Sequence, residues 1–121
     1  MKIELIDLKQ RYKEESNQIL RSINKVLSKG NLVLTKELSN FEDNVCKYTG
    51  SKYCLGLNSG TDALMMSLWA LGIGKGDEVI TSPTSFVATI GAIIHVGAKP
   101  VFVDISEDLN IDPDKIVSKI T

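Results

Sequence analysis

Up to Gly50 the apolar positions recur at helical spacing; beyond it they gather into short runs separated by polar and glycine-containing junctions. Tyr12, Ile19, Ile23 and Val26, with Leu20 and Leu27, share one face of an amphipathic helix that stops near Gly30. Leu38, Phe41, Val45 and Tyr48 repeat the pattern up to Gly50. Three strand-then-helix units are expected next: Tyr53–Leu57 with Gly60–Leu71, Glu78–Thr81 with Ser85–His95, and Pro100–Ile105 with Asp112–Ile120. Asp112 as cap and Pro113 at the first helical position mark the last helix. Two helices followed by this alternation predict an α/β fold with a mostly parallel sheet.

Composition narrows the partners. A chain of 121 residues, 43% hydrophobic and 24% charged, suits one globular unit or part of one. Its formal net charge is −1 with the signs interspersed, so neither nucleic acid nor a membrane surface is an expected partner. Met1 is not followed by a charged-then-apolar leader, and the apolar runs fall short of a bilayer span, which makes a cytoplasmic location the expectation. Cys46 and Cys54 fit that compartment as free thiols. With two cysteines and the single His95, neither a zinc site nor a Cys–His nucleophile pair is expected.

The richest junction is Asn58-Ser-Gly-Thr-Asp62, between a predicted strand and a predicted helix. A helix start presents unpaired N–H groups and a partial positive charge, so an anion placed there gains donors and field together. Gly60 lets an anion approach the backbone, and Ser59 and Thr61 add hydroxyls that can turn toward phosphate oxygens. The same Ser59-Gly-Thr-Asp62 also fits a capping box, which satisfies these donors internally and needs no ligand.

Other patterns weigh less. Gly72-Ile-Gly-Lys-Gly76 follows a helix and precedes a strand, the reverse of a phosphate-cradling order, and reads as a helix stop and turn. Asp104 at a strand end suits turn chemistry, and His95 near a helix end suits the macrodipole. Thr81-Ser-Pro-Thr-Ser-Phe86 carries Phe86 toward the C-terminal edge of the sheet, where its ring could stack on a flat heterocycle or simply join the core.

In order along the chain, Asn58-Ser-Gly-Thr-Asp-Ala-Leu64, Gly74-Lys-Gly-Asp-Glu-Val-Ile80, Thr81-Ser-Pro-Thr-Ser-Phe-Val-Ala-Thr89 and Gly97-Ala-Lys-Pro-Val-Phe-Val-Asp104 strongly resemble the N-terminal third of the DegT/StrS-type sugar aminotransferases. Ile6-Asp-Leu8 and Leu109-Asn-Ile-Asp-Pro113 are similar to that family too. The resemblance covers essentially the whole chain. It implies the N-terminal part of a three-layer α/β/α large domain of the aspartate aminotransferase superfamily, with pyridoxal 5'-phosphate as cofactor. By the same resemblance Ser59, Gly60 and Thr61 hold the cofactor phosphate, Phe86 stacks on the pyridine ring, and Gly30 to Leu34 lies near the substrate entrance. Some members of the family carry tryptophan at the Phe86 position.

The implied reaction moves an amino group, usually from glutamate, to a nucleotide-linked keto-sugar in a homodimer whose active site lies at the subunit boundary. The lysine that bonds the cofactor and the aspartate that pairs with its pyridinium nitrogen are expected beyond Thr121, so residues 1–121 read as one truncated portion of a catalytic domain. Lys47, Lys52, Lys75 and Lys99 are expected to face solvent and to offer no substitute. Apolar edges are expected to remain exposed. A sugar dehydratase of the same family and a non-catalytic phosphate-binding or interaction module are the alternatives.

Overall fold

A computed structural model of the chain describes residues 5–30 and 32–121. It divides into two compact units that meet between Gly56 and Leu57.

The first unit holds α1 (Leu8–Leu27) and α2 (Lys36–Thr49). Asp7 starts α1, its carboxylate accepting from the Gln10 N–H at 2.9 Å, and Thr35 starts α2, its hydroxyl accepting from the Leu38 N–H. The apolar face of α1 stays open, with Ile19, Leu20 and Ile23 each about half exposed. Gly50 ends α2 in the left-handed region at φ 73°, its N–H donating to Cys46 O at 2.9 Å. The chain then returns beside α2, where the Gly56 N–H donates to Glu42 Oε1 at 2.8 Å.

This return segment corrects the sequence reading, since Tyr53–Leu57 is not a strand. A strand needs a ladder partner, and among the described residues the sheet contains only the two strands of the second unit. The Gly56 N–H is committed to a side-chain carboxylate instead, and Tyr53 and Leu55 remain exposed. The Gly30–Leu34 segment includes Asn31, which lies outside the described residues.

The second unit runs α3 (Gly60–Ala70), β1 (Glu78–Thr81), α4 (Val87–His95), β2 (Lys99–Phe102) and α5 (Pro113–Ile116), followed by a 3₁₀ turn over Val117–Lys119. The strands pair in parallel with Glu78 opposite Lys99 and Thr81 opposite Phe102. Parallel neighbours require a crossover, and α4 supplies it. Ala92 and Ile93 on α4 are buried, as are Ala98, Val103 and Thr81 at the strand ends, so the core of this unit lies where α4 meets the sheet. α3 packs along α4. Lys99 Nζ reaches Glu78 Oε1 at 2.6 Å across the strands, and this bond holds the Glu78 carboxyl below its usual range.

Both long helices of this unit end in the same way. The Gly72 N–H donates to Trp69 O and the Ile73 N–H to Leu68 O, while the Gly97 and Ala98 N–H groups donate to Ile94 O and Ile93 O. These are Schellman-type ends, with the glycines at φ 77° and 86°. Gly72–Gly76 is therefore the helix stop and turn that its order predicts, tightened by the Asp77 carboxylate on the Gly74 N–H at 2.8 Å.

Boundaries shift where local side chains compete. α4 begins at Val87 rather than Ser85, because the Ser82 hydroxyl takes the Thr84 N–H and Phe86 becomes the cap residue. β2 stops at Phe102 because Asp104 turns the chain: its carboxylate accepts from the Ile105 N–H and its carbonyl from the Asp112 N–H. Asp112 and Pro113 cap the last helix as expected, but it passes into a 3₁₀ turn after one α-helical turn.

Two outcomes are expected of this unit. Gly97→Val forces a branched side chain into a positive φ with its Cβ 3.5 Å from Lys75 N, and should cost about 1–2 kcal/mol in urea unfolding. Gly91→Ala, inside α4 with open space around the new carbon, should add about 0.5–1 kcal/mol in the same measurement.

The loop after β2 should titrate in acid. The Asn110 side chain, the Ser106 hydroxyl and the Asn110 N–H all donate to the Asp108 carboxylate and lower its pKa to about 2. An ordinary aspartate titrates near about 4, so the stabilisation is full above that value and is lost as pH falls through about 2. Carboxyl NMR should give a midpoint near about 2, moving back up in Asn110→Ala.

Candidate anion site at the start of the third helix

Ser59 is the cap residue of α3, in extended conformation, and its carbonyl accepts from the Ala63 N–H at 3.0 Å. Its Oγ accepts from the Asp62 N–H at 3.1 Å. This is one arm of a capping box. The reciprocal arm is diverted, because the Asp62 carboxylate accepts from Asn58 Nδ2 at 2.7 Å.

The cap and an anion site therefore do not compete for the same groups. The cap uses the Asp62 N–H and a lone pair of Ser59, whose hydroxyl proton stays free to donate. Among the described residues no acceptor takes the Gly60 or Thr61 N–H. Ser59, Gly60 and Thr61 are all exposed, and a Cβ built on Gly60 would meet nothing within 4 Å. Two backbone donors and two hydroxyls thus lie within three successive residues at a helix start, the setting in which an anion gains donors and field together. Asp62 brings an opposing charge, and Asn58 engages it.

Phe86 is placed as the cap residue of α4, the helix that packs on α3, with its ring 75% exposed. It offers its N-terminus no side-chain cap and is not a core residue. The expectation that it serves the core fails, because the five residues from Ser82 to Phe86 form a surface loop.

That loop reveals a feature the sequence reading missed. Thr81, Ser82, Thr84 and Ser85 line one side of a cavity of about 320 Å³ beyond the C-terminal end of β1, and Leu109, Asn110 and Ile111 line the other. The density of hydroxyls between Thr81 and Ser85 was the available signal; the distant Asn110 side had none.

A second cavity, of about 280 Å³, lies among Met65, Met66, Trp69, His95 and Val96. His95 is the last residue of α4, the position where a helix end favours a cation. Asp104 serves the turn after β2, as its position suggested. Every lysine among the described residues is exposed. Among those residues there is also no cluster of acidic, histidine or cysteine side chains that could hold a metal, and no helix long and apolar enough to cross a membrane.

Residues 13–121 match the DegT/DnrJ/EryC1/StrS aminotransferase family. The chain is 42% identical over 120 residues to the UDP-2-acetamido-2-deoxy-3-oxo-D-glucuronate aminotransferase of Pseudomonas aeruginosa, covering 98% of this chain and 33% of that protein. It is 37% identical to the dTDP-3-amino-3,4,6-trideoxy-alpha-D-glucose transaminase of Micromonospora megalomicea, covering 91% of this chain and 30% of that one.

Among solved structures, DesV of S. venezuelae in complex with a ketimine intermediate superposes with a TM-score of 0.94 at 38% identity, covering 98% of this chain and 32% of that one. NtdA of Bacillus subtilis with bound cofactor PMP gives 0.87 at 40% identity, covering 89% and 25%. The chain thus spans about a third of the length of the curated relatives it matches. With an α/β unit built around a helix-start donor cluster and a match over most of its length, this chain belongs to the DegT/DnrJ/EryC1/StrS aminotransferase family.

Proposed function

We propose that residues 1–121 are the N-terminal portion of the catalytic domain of a cytoplasmic, homodimeric, pyridoxal-phosphate-dependent aminotransferase. This portion holds the cofactor phosphate. The reaction transfers an amino group from glutamate to a nucleotide-linked keto-sugar, the substrate class that the relatives' names carry. The observation that carries the reading is the open start of α3, where the Gly60 and Thr61 N–H groups have no acceptor among the described residues although Ser59 already caps the helix.

In this reading each residue has a separate task. The Gly60 and Thr61 N–H groups bind phosphate oxygens, and the Ser59 and Thr61 hydroxyls donate to the remaining ones. Gly60 keeps the approach clear because it has no side chain. The helix field of α3 favours the dianion. Phe86, standing at the start of the neighbouring helix, orients a planar ring by stacking and excludes water from that face. When bound, pyridoxal phosphate serves as the electron sink of the amino transfer. The exposed lysines of this segment provide no desolvated amine, so we assign that group to a part of the protein outside it.

Binding by the chain should be weak and reversible, and inorganic phosphate should compete. Gly60→Val introduces no clash with protein atoms, so its effect falls on the ligand: an increase of about tenfold in the dissociation constant is expected in equilibrium dialysis. Gly91→Ala, inside α4, should leave the constant unchanged. Equal weakening in both variants, or indifference to phosphate, would reduce the Ser59–Asp62 junction to a helix cap.

The reaction class has its own test. With pyridoxal phosphate, glutamate and UDP- or dTDP-linked keto-sugars, the 121-residue chain alone should release no 2-oxoglutarate above a no-protein control. The longest reading frame containing this segment should release it, and should lose most of that rate in Gly60→Val. Loss of water from the sugar without 2-oxoglutarate would favour the dehydratase.

A further inference from the structure

Cys46 and Cys54 are eight positions apart and both half-buried, and the proposed transaminase chemistry uses neither. Their placement follows from how the chain returns along α2. Leu38, Glu42 and Cys46 are spaced four residues apart, so they lie along one face of that helix. After the reversal at Gly50, Gly56 arrives against the Leu38 and Glu42 part of this face: its N–H bonds to Glu42 Oε1 at 2.8 Å, and a Cβ on it would stand 2.7 Å from Leu38 Cδ1.

From Glu42 to Gly50 the helix rises about 12 Å, and only the six steps from Gly50 to Gly56 cover the same distance on the way back. Along it Tyr53 and Leu55 are exposed while Cys54 and Gly56 are half-buried, the alternation of an extended segment with one side against α2. Cys46 lies about 6 Å along the helix from Glu42, halfway to Gly50, and the halfway point of the return falls at Tyr53–Cys54. Cys54 is two residues from Gly56, so in such a segment its side chain projects to the side that faces α2. The charge environment agrees, because the Cys54 thiol is pushed up first by burial, then by Cys46 and then by Glu42, which makes both its neighbours.

We propose that Cys46 and Cys54 form a reversible intramolecular disulfide that links α2 to the return segment, with oxidised glutathione or a similar small disulfide as oxidant. The thiolate of one cysteine attacks the glutathione disulfide, forming a mixed disulfide and releasing one glutathione thiolate. The thiolate of the other attacks the protein sulfur and releases the second. Two protein thiols are oxidised, one glutathione disulfide is reduced to two thiols, and both protons end on glutathione. The linked segment ends at Gly56, three residues before Ser59, so the bond restrains the strand of chain that leads into the anion-binding turn.

The test equilibrates the 121-residue chain in glutathione redox buffers, quenches with an alkylating reagent, and reads the products by intact mass and by peptide mapping. The chain is compared with itself in urea. The native chain should accumulate the Cys46–Cys54 bond, reversed by dithiothreitol, with an equilibrium constant at least about tenfold above the value in urea, where no fold holds the thiols together. Cys46→Ser and Cys54→Ser should each give a glutathione adduct in its place. An equal or smaller constant in the native chain, or adducts and intermolecular dimers in place of the internal bond, would overturn the proposal.

Discussion

The parallel pairing of β1 with β2 is the constraint on which the second unit depends. Two parallel strands of four residues each expose both faces, and the chain must travel from the end of one to the start of the other. α4 makes that journey and buries Ala92 and Ile93 toward the sheet, where Ala98 and Val103 complete a small core. The Gly97 turn that feeds β2 lies against the Lys75 backbone, where a Cβ would stand 3.5 Å from Lys75 N. Once β1 and α4 are placed, so is the Ser82–Phe86 loop between them, and α3 packs on α4.

At the start of α3 a helix cap stands beside two N–H groups that find no acceptor among the described residues. In a capping box the Ser–x–x–Asp pair satisfies the N–H groups of its first and last residues and leaves the two between them unpaired. Here Asn58 engages the Asp62 carboxylate, so the cap consists of the Ser59 hydroxyl on the Asp62 N–H alone. The hydrogen bond from Asn58, at 2.7 Å, ties its side chain to the first turn of the helix.

Apolar exposure is the other consequence of this architecture. Ile19, Leu20, Ile23 and Leu27 on α1, Trp69 on α3, and Val87 and Ile94 on α4 leave much of their surface in water. The helical spacing of Ile19, Leu20, Ile23 and Leu27 marked one apolar face of α1, and that face stays open. Periodicity reports which side of a helix is apolar; what lies against it is a property of the surrounding chain.

Local physics made much of this protein legible in its sequence. Gly50, Asp112 and Pro113 act through backbone conformation and short-range hydrogen bonds, so they announced helix ends and starts that the structure repeats within a residue or two. The turn at Gly72–Gly76 and the strand Glu78–Thr81 were legible for the same reason. Ser59, Gly60 and Thr61 could be singled out because anion recognition at a helix start needs only neighbours in sequence.

Tertiary structure alone decided what depends on distant partners. Tyr53–Leu57 has the composition of a strand, yet a strand exists only where another offers its ladder, and the described residues provide a carboxylate on α2 instead. The hydroxyl-lined cavity needed Asn110 to come round to Thr84. Those outcomes rest on which groups meet across the fold, and no spacing along the chain encodes that.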